Sequence, residues 1–208
     1  MNIVKKITIA AAFLCAVTVV NAEEGMKIGA RVGYSTQMLD SYDMGLLGVQ
    51  AGVAINIPAG PVIIAPEVAF VYRDNYSSIL VKSQTEMAIS VPIIVKYAFG
   101  NMFAGAGVQI DLPLGSEICY TSGNECYSMD GKETKTTSIF NPDKSPERSA
   151  IDLGIPFVFG YHIMPNLTVD ARYVWGLMAY GSYTTLLTNL KADYGPLSSL
   201  GANATYFF

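Results

Sequence analysis

The sequence has few charged residues, one histidine and no surplus of basic residues. Asp, Glu, Lys and Arg together make up 14% of the chain, the formal net charge is −4, and the single histidine is His162. A nucleic-acid-binding protein would need a basic face, so that class is excluded and no nucleic-acid partner is expected. With one histidine, the chain also has few of the side chains that catalytic and metal-binding sites commonly use. We predict neither a cofactor nor a metal.

Long apolar runs are missing as well, except near the amino-terminus. Lys5 and Lys6 precede the apolar run 7–20, and the small residue Ala22 follows where a signal peptidase would need it. Residues 1–22 are therefore predicted to be a cleaved secretory signal.

A lipoprotein signal built on Cys15 is the alternative, but Phe13 and Leu14 stand where such signals have small residues. The remainder, 23–208, is long enough for one domain. Because it retains no apolar run of ~18 or more residues, a membrane-crossing region would have to be built from strands.

The chain does have a two-residue alternation of apolar with small or polar side chains. It runs through eight segments, each about as long as the ~10 residues that a tilted strand needs to cross a bilayer. These segments are 26–35, 46–57, 62–73, 84–97, 102–113, 149–162, 167–180 and 197–208.

The connections between these segments alternate in length. The long ones are 36–45, 74–83, 114–148 and 181–196, and the short ones are 58–61, 98–101 and 163–166. Long extracellular loops and short periplasmic turns alternate in this way in an up-and-down membrane barrel. An even number of strands would place both termini in the periplasm.

Within each of the eight segments, the charged residues occupy the alternate positions opposite to those of the large apolar residues. They share one parity and therefore one face of the strand. An Arg or Lys facing lipid at mid-bilayer costs ~2–4 kcal/mol, so this parity is predicted to face the barrel interior. There, five cations and five anions would form a charge network. Its members are Lys27, Arg31, Glu67, Arg73, Glu86, Lys96, Asp111, Asp152, Asp170 and Arg172.

A soluble β-sandwich also alternates, with its apolar face inside, and periodicity by itself does not exclude it. Two features favour the membrane barrel: the segments are long for a sandwich, and the chain ends on Tyr206, Phe207 and Phe208.

Aromatic residues gather near the predicted strand ends, as expected for rings that prefer the two membrane interfaces. The periplasmic group is Tyr97, Phe99, Phe103, Tyr161, Tyr206 and Phe208, and the opposite group is Tyr34, Tyr72, Trp175 and Tyr180.

The penultimate segment and the terminus carry a family resemblance. Leu167-Thr168-Val169-Asp170-Ala171-Arg172-Tyr173 with Gly176-Leu177, followed by the aromatic terminus, resembles the end of small bacterial outer-membrane β-barrels, the PorT-like and outer-membrane-protein-A-like barrels. The resemblance implies an all-β, eight-stranded antiparallel up-and-down transmembrane β-barrel in the bacterial outer membrane, and no reaction. The expected partners are outer-membrane lipids and the barrel-assembly machinery, which would bind the C-terminal strand ending at Phe208.

Cys119 and Cys126 lie in the longest predicted loop, the extracellular connection at about 114–148. The residues between them, Thr121-Ser122-Gly123-Asn124, favour a turn, so we predict a local disulfide. A reactive or metal-binding pair is the alternative, but no histidine or third cysteine accompanies it. The loop itself is predicted either to bind an unknown extracellular ligand through its aromatic residues or to be disordered.

Three function classes are compatible with such a barrel. The leading hypothesis is a non-enzymatic protein that anchors and presents its loops for surface interaction or envelope structure. A small channel or porin for ions or small solutes is the second, because inward glycines could leave room for water. A lipid-modifying enzyme is the third: Asp111 and Asp152 could act as a carboxylate pair, but His162 is predicted at the opposite, periplasmic end.

Overall fold

A computed structural model describes residues 25–39, 42–75, 81–120, 126–128, 147–178, 181–184, 191–193 and 196–208. In these ranges the chain forms twelve β-strands. Eight are long: β1 (Lys27–Leu39), β2 (Tyr42–Ala59), β3 (Val62–Asn75), β4 (Val81–Phe99), β5 (Met102–Tyr120), β8 (Asp152–Met164), β9 (Leu167–Gly176) and β12 (Leu197–Phe207). Four are short: β6 (Cys126–Ser128), β7 (Glu147–Arg148), β10 (Gly181–Thr184) and β11 (Lys191–Asp193). The described part contains no helix long and apolar enough to span a membrane.

The eight long strands close into one antiparallel barrel. Each pairs with its neighbours in chain order, from β1 through β5 to β8, β9 and β12. Closure comes from β1 and β12, which pair from Gly29 opposite Phe207 to Leu39 opposite Leu197. The predicted fold class, an eight-stranded antiparallel up-and-down barrel, is confirmed.

Three tight turns lie at the same end of the barrel as the first residues of β1 and the last of β12. Two of these turns contain Gly60 and Gly100 with φ angles of 64° and 65°, a region that favours glycine. The third contains Pro165 and Asn166. We call this the turn end and the opposite one the loop end. The predicted signal, 1–22, lies outside the described residues and stays a prediction.

Several strands differ in length from the prediction, mostly at the loop end. β4 and β5 have 19 residues each, and β5 continues to Tyr120, so the connection predicted to begin at 114 begins later. β9 ends at Gly176, four residues before the predicted end at 180. Much of the predicted loop, 121–125 and 129–146, lies outside the described residues.

Short strands at the loop end join separate connections. β6 pairs back onto the end of β5, with Cys119 opposite Cys126 in the backbone register. β7, β10 and β11 form a second, three-stranded sheet. Because β7 follows β5 in the chain and β10 follows β9, this small sheet ties two connections of the barrel together.

The outward face of the barrel is apolar over most of its height. On β8, the exposed residues Leu153, Phe157, Phe159 and Tyr161 alternate with buried ones. Exposed carboxylates on this face, Asp74 and Glu117, occur near the loop end. Such a belt, flanked by charges only where the strands leave it, matches a surface that faces lipid.

Most of the predicted interfacial aromatics are exposed, with one correction. Tyr97, Phe99, Tyr161, Tyr206 and Phe208 are exposed toward the turn end, and Tyr34, Tyr72 and Trp175 are also exposed. Phe103, predicted to lie among the turn-end group, instead points into the barrel and is 3% exposed. There it packs with the buried residues Ala65, Ile94 and Val158. Tyr180 lies outside the described residues.

Candidate functional site: the charged barrel interior

The structure places eight of the ten predicted interior charges inside the barrel. They are 1–7% exposed: Arg31, Glu67, Arg73, Glu86, Lys96, Asp111, Asp170 and Arg172. The other two lie near strand ends. Lys27 is exposed at the turn end, with its Nζ 3.5 Å from the Pro165 carbonyl oxygen. Asp152, the first residue of β8, is half-buried at the loop end.

Glu67 on β3 is the centre of a cluster in the half of the barrel toward the turn end. Arg31 Nη1 donates to Glu67 Oε2. Arg172 Nη2 lies 2.9 Å from Glu67 Oε2 and 3.1 Å from Oε1. Lys96 Nζ lies 3.5 Å from Glu67 Oε1. Three cations from β1, β4 and β9 therefore converge on one carboxylate.

Asp170 is the second carboxylate of this turn-end cluster. Its Oδ1 accepts a hydrogen bond of 2.9 Å from Asn203 Nδ2. The same oxygen lies 3.6 Å from Arg31 Nη2 and 3.8 Å from Arg172 Nε, which is ion-pair range. Asn203 Oδ1 in turn accepts a hydrogen bond of 2.5 Å from Gln50 Nε2. Gln50 and Asn203 are therefore connected to the charges of the turn-end cluster.

A second cluster lies toward the loop end, around Arg73. Its Nη1 lies 2.8 Å from Glu86 Oε1, and its Nη2 lies 3.3 Å from Asp111 Oδ2. Gln109 Nε2 donates to both oxygens of Asp111, at 3.0 and 3.2 Å. The loop-end cluster has one cation and two carboxylates, and the turn-end cluster has three cations and two carboxylates. Among the residues that the structure describes, the buried charges therefore balance, four cations with four carboxylates.

Sequence position alone would not have shown these partnerships. Glu67 and Arg172 are 105 residues apart, and Arg31 and Glu67 are 36 apart. Parity indicates that each side chain faces inward, whereas the stagger between strands decides which ones meet at the same height. The prediction also left out Asn203 and Gln109, although both share the inward parity of their charged neighbours.

Side chains occupy the space beside two of the inward glycines on which the channel hypothesis rests. A Cβ added at Gly33 would lie 1.9 Å from Asn203 Oδ1, and one at Gly160 would lie 2.2 Å from the Phe103 ring. The space beside these inward glycines is therefore occupied by neighbouring side chains. Lys96 Nζ lies 5.3 Å from the centre of the Phe103 ring, which joins the apolar packing to the turn-end cluster. An eight-stranded barrel is about narrow enough for side chains to fill.

The residues considered for catalysis lie at opposite ends of the barrel. The His162 ring packs against Phe103, with ring centres 5.2 Å apart, near the turn end. Asp111 and Asp152 are opposite one another on β5 and β8, as proposed for a carboxylate pair, but Asp111 also pairs with Arg73. Among the described residues, no group of three or more potential ligands could hold a metal ion.

Comparison with known proteins identifies the fold. No protein-family model matches the sequence, and no curated protein matches it. Among solved structures, Neisserial surface protein A is similar with a TM-score of 0.51 at 13% identity, over 89% of this chain and 98% of that one. The fold is that of a small outer-membrane β-barrel.

Two further solved structures are similar to this chain. A major outer membrane protein from Thermus thermophilus has a TM-score of 0.48 at 14% identity, over 89% of this chain and 100% of that one. The attachment invasion locus protein Ail of Yersinia pestis has a TM-score of 0.42 at 12% identity, over 88% and 97%. At these identities the similarity concerns the fold, and it does not select the PorT-like or outer-membrane-protein-A-like group.

Proposed function

We propose that this chain is a non-enzymatic outer-membrane protein whose barrel anchors it and presents its loop end at the cell surface. The proposal rests on the contrast between the interior of the barrel and its loop end. Inside the barrel, charged side chains are paired and Phe103 packs against apolar neighbours, while strands β4 and β5 extend far beyond the length needed to cross a membrane. The part of the molecule left to contact a partner is then the loop end.

The outward surface supports the membrane placement. Large apolar side chains such as Val32, Val49, Val108 and Trp175 are more than half exposed, a costly arrangement in water. A soluble sandwich would bury this face and expose its charges, the reverse of what the barrel shows. Lipid covering the belt would remove this cost, which favours the membrane placement.

Strand length supports display at the loop end. A membrane-crossing strand needs about 9–11 residues, roughly half the 19 residues of β4 and of β5. The extra length carries β5 up to its pairing with β6. The sheet of β7, β10 and β11 adds a second ordered element formed from two connections. A scaffold of this kind would hold a binding surface for an extracellular ligand.

The ends of the chain fit the same orientation. With the loop end at the cell surface, the turn end and both termini would face the periplasm. Phe208 is 84% exposed, and its ring packs edge-on against Tyr206, with centres 5.7 Å apart. We propose that this exposed aromatic end of β12 is what the barrel-assembly machinery binds. The channel and enzyme alternatives have no comparable support in the described residues.

An epitope inserted within 129–146 tests the proposal on intact cells. The matched control carries the same epitope between Gly60 and Pro61, in a turn at the opposite end. Antibody should label intact cells that express the loop insertion and should label the turn insertion only after the outer membrane is permeabilised. Labelling of the turn insertion on intact cells, or of neither insertion, would contradict the proposed display.

A further inference from the structure

A row of alanines lies on the outward face of the barrel, where strands β1 and β12 close it. Ala202 on β12 is opposite Ala171 on β9, and the neighbouring outward position of β12 is Ala204. These positions alternate with the inward Asn203 and Asp170. The alanines therefore face the same side as the exposed apolar belt, and they are much shorter than its other members.

Larger side chains border this row on the two flanking strands. On β1, Tyr34 is opposite Ala202 and Val32 is opposite Ala204. On β8, Phe159 is opposite Ala171, and Tyr161 follows it on the same face. β1 and β8 are three strand spacings apart, roughly 14 Å at about 4.8 Å each. The result is a depression of about 710 Å³ with an alanine floor and walls on β1 and β8.

Larger outward residues lie beyond the depression along the strand direction. The next outward pair toward the loop end is Leu200 opposite Tyr173. The next toward the turn end is Tyr206 opposite Leu167. The six residue steps from Leu200 to Tyr206 correspond to roughly 20 Å of strand, so larger outward side chains flank an open depression. It lies within the belt and nearer to the turn end than to the loop end.

We propose that this depression is a binding site for the acyl chain of a phospholipid. The site is continuous with the surface that lipid covers in the proposed membrane placement, and the inference rests on that placement. Its volume is within the roughly 300–1,000 Å³ of small-molecule sites. Val32, Phe159 and Tyr161 on its two sides restrict the lateral movement of a chain that lies between them.

A second copy of the barrel is a less suitable occupant. Two copies related by a two-fold axis bring the same patch together, and a concave patch faces a concave patch. Small residues favour close approach of transmembrane segments, but only where the surrounding side chains allow it. Here Tyr34 and Phe159 flank the alanines and would keep two barrels apart. A flexible acyl chain can fill the space without that constraint.

Native mass spectrometry of the full barrel tests this site. The protein is reconstituted in vesicles of phosphatidylethanolamine and phosphatidylglycerol and extracted into mild detergent. The wild-type barrel should retain one phospholipid. A variant with Ala171→Leu and Ala202→Leu, which fills the floor, should lose it. The control, Ala51→Leu with Ala106→Leu, places the same bulk at exposed alanines on β2 and β5 and should retain it.

Folding of every variant is checked by heat-modifiable gel migration, so loss of lipid can be separated from loss of the barrel. A wild-type barrel without bound phospholipid would overturn the proposal, as would equal loss in both variants. A dimer that disappears in the Ala171→Leu, Ala202→Leu variant would also overturn it by identifying a second copy as the occupant. Failure here, with surface display intact, would leave the proposed function standing.

Discussion

Glu67 has the most demanding environment of the interior residues. It is 2% exposed and lies within ion-pair distance of Arg31, Lys96 and Arg172. A buried charge without a partner is costly, so the cations of this cluster depend on a carboxylate at this position. The sequence indicated that Glu67 faces inward, because parity is a local property. It did not indicate that three cations share this carboxylate, because that depends on how four strands are staggered relative to one another along the barrel axis.

Replacing Glu67 by Gln should destabilise the barrel. The substitution keeps the size of the side chain and removes the charge, so that of the cluster's two carboxylates only Asp170 is left for three buried cations. Removing one partner of a buried ion pair typically costs about 3–5 kcal/mol, so we expect a fall of that size in the free energy of unfolding. Urea titration in phospholipid vesicles, followed by the fluorescence of Trp175, the chain's single tryptophan, measures it.

The matched control for this variant is Lys27→Met, which removes an exposed charge of the same predicted network. Surface substitutions usually change stability by no more than about 0.5 kcal/mol, and the control should stay within that range. Equal urea midpoints for Glu67→Gln and the wild type would contradict the assignment of Glu67 as the partner of three cations.

Individual strands were predictable where lipid and interior impose opposite requirements on successive residues. The predicted starts of β3, β5, β9 and β12 coincide with the observed ones. The loop-end parts of β4 and β5 were not predicted, because a strand paired in water needs no apolar face. Around Pro113 to Glu117 the alternation is lost, and the β4–β5 register shifts between Met87 and Ala88. The short strands β6, β7, β10 and β11 carry too few residues for a pattern.

The pairing of β5 with β6 bears on the predicted disulfide between Cys119 and Cys126. Residues opposite one another in an antiparallel pair have Cα atoms about 4.5–5.5 Å apart, which is within the 4.4–6.8 Å usual for disulfides. We expect the exported protein to contain this bond. Mass spectrometry of non-reduced peptides should find the two cysteines linked within one chain. Free thiols, or a link between chains, would refute the prediction.

Deletion of 129–146 should separate display from assembly. The segment lies between β6 and β7, and the cost of closing a loop changes only slowly with its length, so a short Gly-Ser replacement should leave folding nearly unaffected. Heat-modifiable migration and thermal unfolding should match the wild type, while any binding to a cell-surface partner is lost. The control is a Gly-Ser replacement of 185–190, in the connection between β10 and β11. Failure of the 129–146 deletion to assemble would show that this segment has a structural role in the barrel.

At the level of the whole barrel, the buried charges of the described part of the chain balance although neither cluster does alone. The turn-end cluster has one cation more than it has carboxylates, and the loop-end cluster one fewer. A neutral interior lowers the cost of burying eight charges in a narrow space. Phe103 and the polar residues Asn203 and Gln109 are also buried in the interior. In the proposed function, the barrel is an anchor with a filled centre, and its contact with other molecules is through its surface.

Conductance across a planar lipid bilayer tests this filled interior most directly. The purified wild-type barrel is inserted, and current is recorded at applied voltage. Paired charges and packed rings should leave no continuous water path, so we expect little or no steady conductance. Large, stable single-channel steps from the unmodified protein would contradict the account and would favour a small channel instead.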